Sequence, residues 1–310
     1  MDAIEELVAA RISSDTAVTI GVFDGVHLGH RYLADRVRSE AGARGLESAV
    51  LTFRNPPASV LAPDRPVAYL SSLEERLELL RGCGIDHVVP LNFTRELSQL
   101  AAGEFVALLV EHLRMRVLLA GPDFAMGKER EGTVPVLTRL GEGMGYKVVS
   151  VEPMAHDGQT VSTTAIKGLL KEGDVTRAAA LLGRPHRLTG PVVLGDQRGR
   201  GLGFPTANLD VPARIVQPAD GIYATLAWIN GERHDSVSSI GVRPTFGELA
   251  HTVETFILDF DRDLYGETVS IDLVQHLRGE ERFETVDALV AQMHRDVDAS
   301  RAVLAGKAAR

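Results

Sequence analysis

The sequence predicts two domains of different classes, an α/β domain with a parallel sheet followed by an antiparallel β domain that ends in a helix. A chain of 310 residues is longer than most single domains. In its first half, apolar strand-like runs alternate with amphipathic helix-like stretches, whereas after Leu182 strand-like runs follow one another without helices. Because Gly183-Arg184-Pro185 is a break between the two patterns, we predict domains at residues 1–183 and 184–310.

The predicted strands of the first half are almost entirely apolar, which is typical of a parallel sheet covered by helices on both faces. They are predicted at Val18–Phe23, Ser48–Phe53, Asp86–Leu91, Arg116–Gly121 and Tyr146–Val151. The helices are predicted at Leu28–Gly42, Leu73–Arg81, Glu104–Leu113, Val134–Met144 and Asp174–Leu182. Since ligands of such sheets bind at the carboxyl ends of the strands, we expect the site in the loops that follow them.

The second half contains short strand-like runs at regular intervals, a spacing that favours an antiparallel barrel or sandwich. The strands are predicted at Leu188–Leu194, Ile222–Ile229, His234–Ile240, Thr252–Leu258 and Thr268–Val274. A terminal helix is predicted to pack against them through one apolar face, formed by Val286, Leu289, Val290, Met293 and Val297. Residues 301–310 are expected to form a frayed tail.

The composition excludes several classes of protein. The net charge is −9 and no strongly basic block is present, so we expect no nucleic-acid partner. The single cysteine, Cys83, excludes an intramolecular disulfide and fits a reducing compartment. The acidic N-terminus lacks the features of a secretory signal, and no apolar run approaches the roughly 20 residues of a membrane span. We therefore expect a soluble, cytoplasmic protein with no membrane partner.

The segment Gly21–His30, here called the HxGH turn, has the pattern of a phosphate site. It joins a buried strand to an amphipathic helix, and unpaired N–H groups at a helix start attract anions. Gly21 and Gly25 permit a sharp turn close to a ligand. His27 and His30 are three residues apart and so share one face. Two surface histidines at a turn are the alternative, and zinc is weaker because no third His or Cys is nearby.

Two further loops follow predicted strands in the first half. Gly121–Gly127, with Asp123, continues into the charged run Lys128–Gly132, which is either a lid over a nucleotide or a solvated loop. In Val161–Lys167, hydroxyl groups precede a helix and a lysine lies one turn later. Ser162 or Thr163 caps that helix, grips phosphate, or does both.

The segment Gly195–Asn208, here called the PTAN loop, is the most specific motif of the second half. Its glycines and arginines form a cationic loop whose amides can surround phosphates. Thr206 and Asn208 share one side of an extended segment, and their oxygens suit Mg²⁺. Glu254, on a later strand, either points into the barrel mouth as a general base or faces solvent on an alternating strand.

These motifs carry a family resemblance. The H-x-G-H arrangement resembles the signature of the nucleotidylyltransferase superfamily. Together, the two halves resemble the prokaryotic bifunctional riboflavin kinase/FAD synthetases over nearly the whole chain. Further segments of the second half carry this resemblance, namely Pro218–Tyr223, Ser239–Gly247 and Leu264–Gly266.

The resemblance implies a Rossmann-like FMN adenylyltransferase domain followed by a riboflavin kinase domain with a six-stranded barrel. It implies riboflavin, FMN, FAD and ATP as ligands, with Mg²⁺. Glu254 would be the kinase base, and His27 and His30 would stabilise charge on the triphosphate. The implied nucleotide ligands of the adenylyltransferase are Gly21, Phe23, Asp24, Gly25, Asp123, Ser162, Thr163, Thr164 and Lys167. Those of the kinase are Gly199, Arg200, Gly203, Pro205, Thr206 and Asn208, with Thr206 and Asn208 also holding the metal.

The sequence departs from the family pattern at two places in the first half. Arg54–Pro57 stands where the family often has an Asp-Pro-His type run, and Lys167 stands where it usually has arginine. Lysine keeps the charge but lacks the bidentate fork. These departures define an alternative, a riboflavin kinase whose first domain is inactive or merely binds nucleotide. A flavin-binding regulator is the non-enzymatic alternative. We expect a monomer or a weak homo-oligomer.

Overall fold

The computed structural model describes residues 3–65, 67–195, 198–245 and 248–308. Its chain divides into two compact units, Met1–Val67 with Ser71–Ser162, and Ala68–Leu70 with Thr163–Arg310. The first unit is α/β and the second is mainly β, which confirms the predicted fold classes. The boundary at residue 183 that we drew from sequence patterns stays a prediction.

The first unit is built on a parallel sheet of five strands in its described residues, with the order β3-β2-β1-β4-β7. Its strands are β1 Thr16–Gly21, β2 Glu47–Phe53, β3 His87–Leu91, β4 Met115–Ala120 and β7 Lys147–Ser150. Two small hairpins lie beside the sheet, β5 Ala125–Met126 with β6 Gly132–Thr133, and β8 Ala155–His156 with β9 Gln159–Thr160. Each predicted strand of the first half overlaps a strand of this sheet.

Helices cover both faces of the sheet because alternate side chains of its strands are apolar on both sides. They are α1 Ala3–Ala9, α2 Leu28–Arg44, α3 Pro57–Leu61, α4 Leu73–Gly82, α5 Arg95–Gln99, α6 Ala102–His112 and α7 Val134–Met144. Val18 and Leu51 pack into one hydrophobic cluster with residues of α1, α6 and α7. Their neighbours Ala17 and Val50 pack into another, with residues of α2 and α4.

The strand order places the switch point of the sheet between β1 and β4. The chain passes from β1 outward to β2 and β3, and then returns to β4 on the other side of β1. Loops leaving the carboxyl ends of β1 and β4 therefore diverge and leave a crevice for a ligand. The HxGH turn follows β1, and the loop that contains Asp123 follows β4.

The second unit is built on a closed barrel of six strands in its described residues, ordered β10-β11-β14-β13-β12-β15. Because the sheet closes on itself and has no edge, the second unit is a barrel and not the sandwich that the sequence analysis had left open. The strands are β10 His186–Val193, β11 Ala207–Leu209, β12 Gly221–Ile229, β13 Glu232–Thr245, β14 Glu248–Ile257 and β15 Thr268–Arg278. The helices are α8 Thr163–Lys171, α9 Val175–Leu182, α10 Arg198–Gly201 and α11 Val286–Ala308.

A short piece of chain from within the first half also belongs to the second unit. Tyr69 forms a parallel bridge with Ile215, its N–H donates to Arg214 O at 2.7 Å, and its carbonyl accepts from Val216 N at 2.7 Å. Ser71, which follows directly, is part of the first unit again.

The terminal helix differs from its prediction at both ends. The expected tail is helical to Ala308, and Leu304 is buried in a cluster with Ala224 and Val274. At the start, Val286 is 60% exposed and does not belong to the packed face. No helix among the described residues is long and apolar enough to span a membrane.

Polar anchors replace part of the apolar face that we predicted for α11. Asp296 accepts two hydrogen bonds from Arg278 at 2.9 and 2.7 Å, and the Ser300 hydroxyl donates to Ser236 O at 2.9 Å. Asp296 and Ser300 are both buried. A stripe of apolar residues could not reveal them, because their partners come from distant strands.

Candidate active sites

The backbone of the HxGH turn is held in an unusual conformation. Phe23, Gly25 and Val26 have φ values of 52°, 76° and 38°, in the left-handed region. This conformation suits Gly25, but it is strained for the β-branched Val26. The turn compresses the chain between β1 and α2, so that His27 becomes the N-cap of α2.

The two histidines of the turn stack on each other. Their ring centroids are 3.6 Å apart with planes inclined by 16°. The Nδ1 atom of His27 accepts a hydrogen bond from the backbone N–H of His30 at 3.3 Å, which leaves the proton of the neutral ring on Nε2. The sequence prediction that the two imidazoles share one side is therefore confirmed.

The His30 imidazole is held in its neutral form. Burial lowers its pKa well below 6.5, and it is lowered further because a protonated His30 would be repelled by the His27 imidazole, whenever that ring is also protonated, and by the Arg76 guanidinium. The ring centroids of Phe23 and His30 are 5.1 Å apart with planes inclined by 62°. The buried Nδ1 atom of His30 has no hydrogen-bond partner among the described residues. A neutral, incompletely bonded imidazole can gain both a hydrogen bond and a proton when an anion arrives.

Two glycines of the turn allow its close packing. A Cβ atom on Gly21 would lie 3.1 Å from the Phe23 ring. On Gly29 it would lie 3.2 Å from the His27 ring and 3.3 Å from the carbonyl oxygen of Val161. The segment that ends at Ser162 therefore lies directly against the start of α2, beside His27.

Two buried residues near the start of α4 hold the turn, and the sequence analysis did not identify either of them. The Ser71 hydroxyl accepts from Gly25 N at 3.2 Å. The Arg76 guanidinium donates to Val22 O at 2.8 Å and to Phe53 O at 2.7 Å. A cation within an amphipathic helix is normally a solvated residue, so the sequence offered no signal.

The remaining first-domain predictions are placed as follows. Asp123 is exposed in the turn after β4, and its carbonyl accepts from Arg130 at 3.3 Å. Thr163 and Thr164 open α8, which belongs to the second unit, and Lys167 of that helix donates to Ala68 O at 2.6 Å. The roles of these residues in nucleotide binding stay predictions.

The run that departs from the family pattern has a structural task. The side-chain amide of Asn55 donates to Phe93 O and accepts from Phe93 N, both at 2.9 Å. Asn55 therefore joins the loop after β2 to the loop after β3. Arg54 lies 3.4 Å from the carboxylate of Glu6.

In the second unit, the predicted kinase residues meet across two strands. Asn208 of β11 is the register partner of Glu254 on β14. The Thr206 hydroxyl donates to Glu254 Oε2 at 3.4 Å. The structure thus brings a carboxylate, a hydroxyl and an amide together, although Thr206 and Glu254 are 48 residues apart in the sequence.

Glu254 lies on the outer face of the barrel wall and does not point into the interior. Its neighbour Thr255 is fully buried and bonds to Ser238, which in turn bonds to Thr225, at 2.9 and 2.8 Å. Because side chains alternate along a strand, Glu254 faces the opposite way, toward Thr206. Of the two orientations that the sequence left open for Glu254, the structure shows the one that faces away from the barrel interior.

Glycines shape the PTAN loop around these groups. A Cβ atom on Gly199 would overlap the carbonyl oxygen of Phe204, and one on Gly195 would collide with the Asn208 amide. Gly203 has a φ of 85°, and Pro205 follows Phe204, which is buried. The side chain of Arg200 lies outside the described part of the structure.

A cavity of about 280 Å³ opens beside Thr206. Pro205–Ala207 forms one wall and Phe260–Tyr265 another, with Thr255 also contributing. The sequence analysis identified Leu264–Gly266 only through the resemblance and missed Phe260, because an aromatic residue in a charged loop carries no motif.

The site in the second unit suits a hard cation but not zinc. Its candidate ligands are oxygen atoms of Thr206 and Asn208. Mg²⁺ binds such oxygen atoms together with water molecules and phosphate oxygens. Within the described ranges, no group of three His, Cys, Asp or Glu side chains could hold a metal ion.

Known proteins are similar to this chain over nearly its full length. A model of the FAD synthetase family matches residues 9–165, and a riboflavin kinase model matches residues 182–304. The bifunctional riboflavin kinase/FMN adenylyltransferase of Escherichia coli strain K12 is 38% identical over 281 residues, which is 90% of each chain. The chain belongs to the family of bifunctional riboflavin kinase/FMN adenylyltransferases. The family member of Listeria monocytogenes is 37% identical over 93% of this chain and 92% of its own.

A solved structure of another protein has the same fold as this chain. It comes from Streptococcus pneumoniae, is described as a macrolide-efflux protein, and is 32% identical with a TM-score of 0.87. The match covers 93% of this chain and 94% of that one. Within this chain, the FAD synthetase match precedes the riboflavin kinase match, in the order that the sequence analysis inferred.

Proposed function

We propose that this chain makes FAD from riboflavin in two ATP-dependent steps, each in its own domain. The second domain phosphorylates riboflavin to FMN, and the first adenylylates FMN and releases pyrophosphate. The observation that carries the proposal is the meeting of Thr206 with Glu254, at 3.4 Å, in the half that matches riboflavin kinases. The FAD synthetase match of the other half supplies the second step.

In the kinase step, Glu254 acts as the general base. Its carboxylate accepts the proton of the riboflavin 5′-hydroxyl as that oxygen bonds to the γ-phosphorus of ATP. The bond from the γ-phosphorus to the bridging oxygen breaks, and ADP leaves. Glu254 is only partly buried beside Thr206, so a substrate hydroxyl can approach it. The positioning of ATP and riboflavin supplies most of the rate enhancement, as in other phosphoryl transfers.

Mg²⁺ fits the oxygen donors of this site, and Thr206 and Asn208 would hold it. When bound, the ion neutralises charge on the triphosphate. Gly199 and Gly203 let the PTAN loop approach the phosphates with its backbone N–H groups. The protein residues thus set the position of ATP relative to Glu254.

In the adenylyltransferase step, the HxGH turn binds the triphosphate. An FMN phosphate oxygen bonds to the α-phosphorus, the bond from that phosphorus to the bridging oxygen breaks, and pyrophosphate leaves. His27 donates a hydrogen bond from Nε2–H to the phosphate oxygens, and His30 donates a second one from its ring N–H, so that both rings stabilise the negative charge that collects on the leaving group. Gly21, Phe23, Asp24 and Gly25 shape the turn, while Asp123, Ser162, Thr163, Thr164 and Lys167 complete the proposed nucleotide ligands.

The kinase-only alternative is not favoured. A FAD synthetase model matches residues 9–165, although Arg54–Pro57 and Lys167 depart from the family pattern. Asn55, inside the first departure, has a structural role between two loops. Lys167 retains the cationic charge of the arginine that it replaces.

A flavin product assay tests the proposed function. The full chain is incubated with riboflavin, ATP and Mg²⁺, and the flavins are separated by chromatography. We expect FMN followed by FAD, and pyrophosphate when FMN is supplied directly. Formation of FMN without FAD would support the kinase-only alternative, and binding of flavin without ATP turnover would support the regulator.

A further inference from the structure

Two buried polar residues, Ser71 just before α4 and Arg76 within it, form hydrogen bonds with main-chain atoms of the HxGH turn and its neighbours. Ser71 and Arg76 are 4% and 2% exposed. Both belong to the first unit, as does the HxGH turn. In the sequence, Ser71 lies 46 residues after Gly25, and Arg76 lies 54 residues after Val22.

The Arg76 guanidinium ties together the carboxyl ends of two neighbouring strands. Val22 follows β1 directly, and Phe53 is the last residue of β2. The Nη1 atom of Arg76 donates to Val22 O at 2.8 Å, and Nη2 donates to Phe53 O at 2.7 Å and to Arg54 O at 3.4 Å. The planar fork of arginine can serve several acceptors at fixed angles, whereas a lysine ammonium is a single point.

The position of these bonds matters because the backbone just beyond Val22 is strained. Phe23 and Val26 take positive φ values that cost free energy and persist only when neighbouring contacts impose them. Arg76 fixes the carbonyl on the near side of the strained segment, and Ser71 fixes the N–H of Gly25 within it. Ser71 and Arg76 thus hold the turn at two points ahead of His27, the N-cap of α2.

The Arg76 guanidinium is buried, carries a positive charge and donates hydrogen bonds to main-chain carbonyls. That charge acts on His30, whose pKa it helps to lower. The groups that lower the pKa of His30 electrostatically are His27, at the start of α2, when it is protonated, and Arg76, from α4, while the apolar Phe23 ring packs beside His30. A fixed cation beneath the turn also favours an incoming triphosphate.

We propose that Arg76 is a positioning residue for FMN adenylylation, holding the ends of β1 and β2 so that His27 and His30 stay stacked and aimed at the triphosphate. Its charge adds to the positive field of the turn. This inference rests on the proposed adenylyltransferase activity, to which it adds a residue that does not touch the reacting atoms.

The test compares three variants of the full chain, Arg76→Gln, Arg76→Lys and Arg81→Gln. Arg81 is the matched control, since it is an exposed arginine of the same helix. For Arg76→Gln we expect kcat for FAD formation from FMN to fall roughly tenfold to a hundredfold. Riboflavin phosphorylation, measured in the same preparation, stays within about twofold because it occurs in the other unit.

The pH profile separates positioning from a merely structural effect. Removing the charge raises the pKa of His30, so the acid limb of kcat/KM for Arg76→Gln moves to higher pH. Arg76→Lys keeps the charge and the wild-type acid limb but not the wild-type kcat, because it lacks the fork. Unchanged FAD formation by Arg76→Gln, an unmoved acid limb, or an equal loss of kinase activity overturns the inference.

An NMR titration of the His30 imidazole separates this inference from the proposed function. If the wild-type chain makes no FAD, the proposed adenylyltransferase activity fails, and the titration still decides the electrostatic role of Arg76. A higher pKa of His30 in Arg76→Gln than in wild type supports that role. An identical pKa contradicts it.

Discussion

His30 shows how one side chain can be prepared for an anion. Its ring is stacked on His27, its Nδ1 lacks a partner among the described residues, and its pKa is well below the usual value. Burial is the main cause, so the neutral ring persists in the absence of ligand. Protonation of the buried imidazole at low pH therefore costs free energy, and a bound phosphate would remove that cost by pairing with the charged ring.

This cost predicts a pH dependence of stability. Below a pH of about 6.5 His30 becomes protonated in the unfolded chain but stays neutral in the folded chain. The free energy of unfolding therefore decreases as the pH decreases in that range. We expect His30→Gln to show a smaller loss of Tm between pH 7.5 and pH 5.5 than wild type. Thermal unfolding followed by far-UV circular dichroism measures both. Equal losses would contradict the account.

Glu254 gives the second prediction at this scale. Glu254→Gln keeps the shape of the side chain but cannot accept a proton, so we expect riboflavin phosphorylation to fall roughly 100-fold or more. FAD formation from FMN should be unchanged, since Glu254 belongs to the second unit. Asp259 is a suitable control because it is an exposed acid that pairs with Arg301 at 2.8 Å. A parallel loss of both activities in Glu254→Gln would refute a local role.

At the scale of elements, the PTAN loop depends on a helix of a single turn, α10. Gly199 packs against the Phe204 carbonyl, whereas a Cβ on Gly201 meets no atom within 4 Å. The same substitution at the two positions therefore separates packing from helix propensity. Alanine favours a helix by about 1 kcal/mol over glycine, so propensity alone would stabilise both variants.

We expect Gly199→Ala to lower kinase turnover about tenfold or more by displacing the loop that positions ATP. Gly201→Ala should remain within about twofold of wild type. Initial rates of FMN formation at saturating and limiting ATP measure both variants. If the two variants behaved alike, the close packing of Gly199 would not matter for the reaction.

The elements that repeat a hydrophobic period could be predicted from sequence, and those that depend on tertiary contacts could not. The strands of the parallel sheet and four of the long barrel strands carry continuous or alternating apolar patterns over most of their length. Strand β11 has only three residues, and α10 has four, which is too short for a period to appear. The end of α11 was missed because its polar residues are anchored to the barrel.

The same distinction applies to the candidate sites. His27 and His30 lie on one local turn, so their spacing predicted their common orientation. Thr206 and Glu254 were paired through the family resemblance, and their alternating strands supplied the faces but not the contact. Arg76 and Ser71 were invisible, since their function depends on carbonyl and N–H groups distant in sequence.

At the scale of the whole molecule, the catalytic residues proposed for the two steps lie in different compact units. His27 and His30 belong to the first unit, and Thr206 and Glu254 belong to the second. Each group is held by contacts within its own unit, as the stacked rings and the Thr206–Glu254 bond illustrate. Substitutions at sites without shared partners normally act independently. The two activities should therefore be separable in one intact chain.

A mixing experiment tests this claim most directly. His30→Ala and Glu254→Gln chains are incubated separately and together with riboflavin, ATP and Mg²⁺, and flavins are followed by chromatography. The account predicts that His30→Ala alone stops at FMN, that Glu254→Gln alone makes no FMN or FAD from riboflavin, and that the mixture makes FAD. Failure of the mixture to make FAD, or loss of both activities in either folded variant, would contradict the assignment of two independent sites.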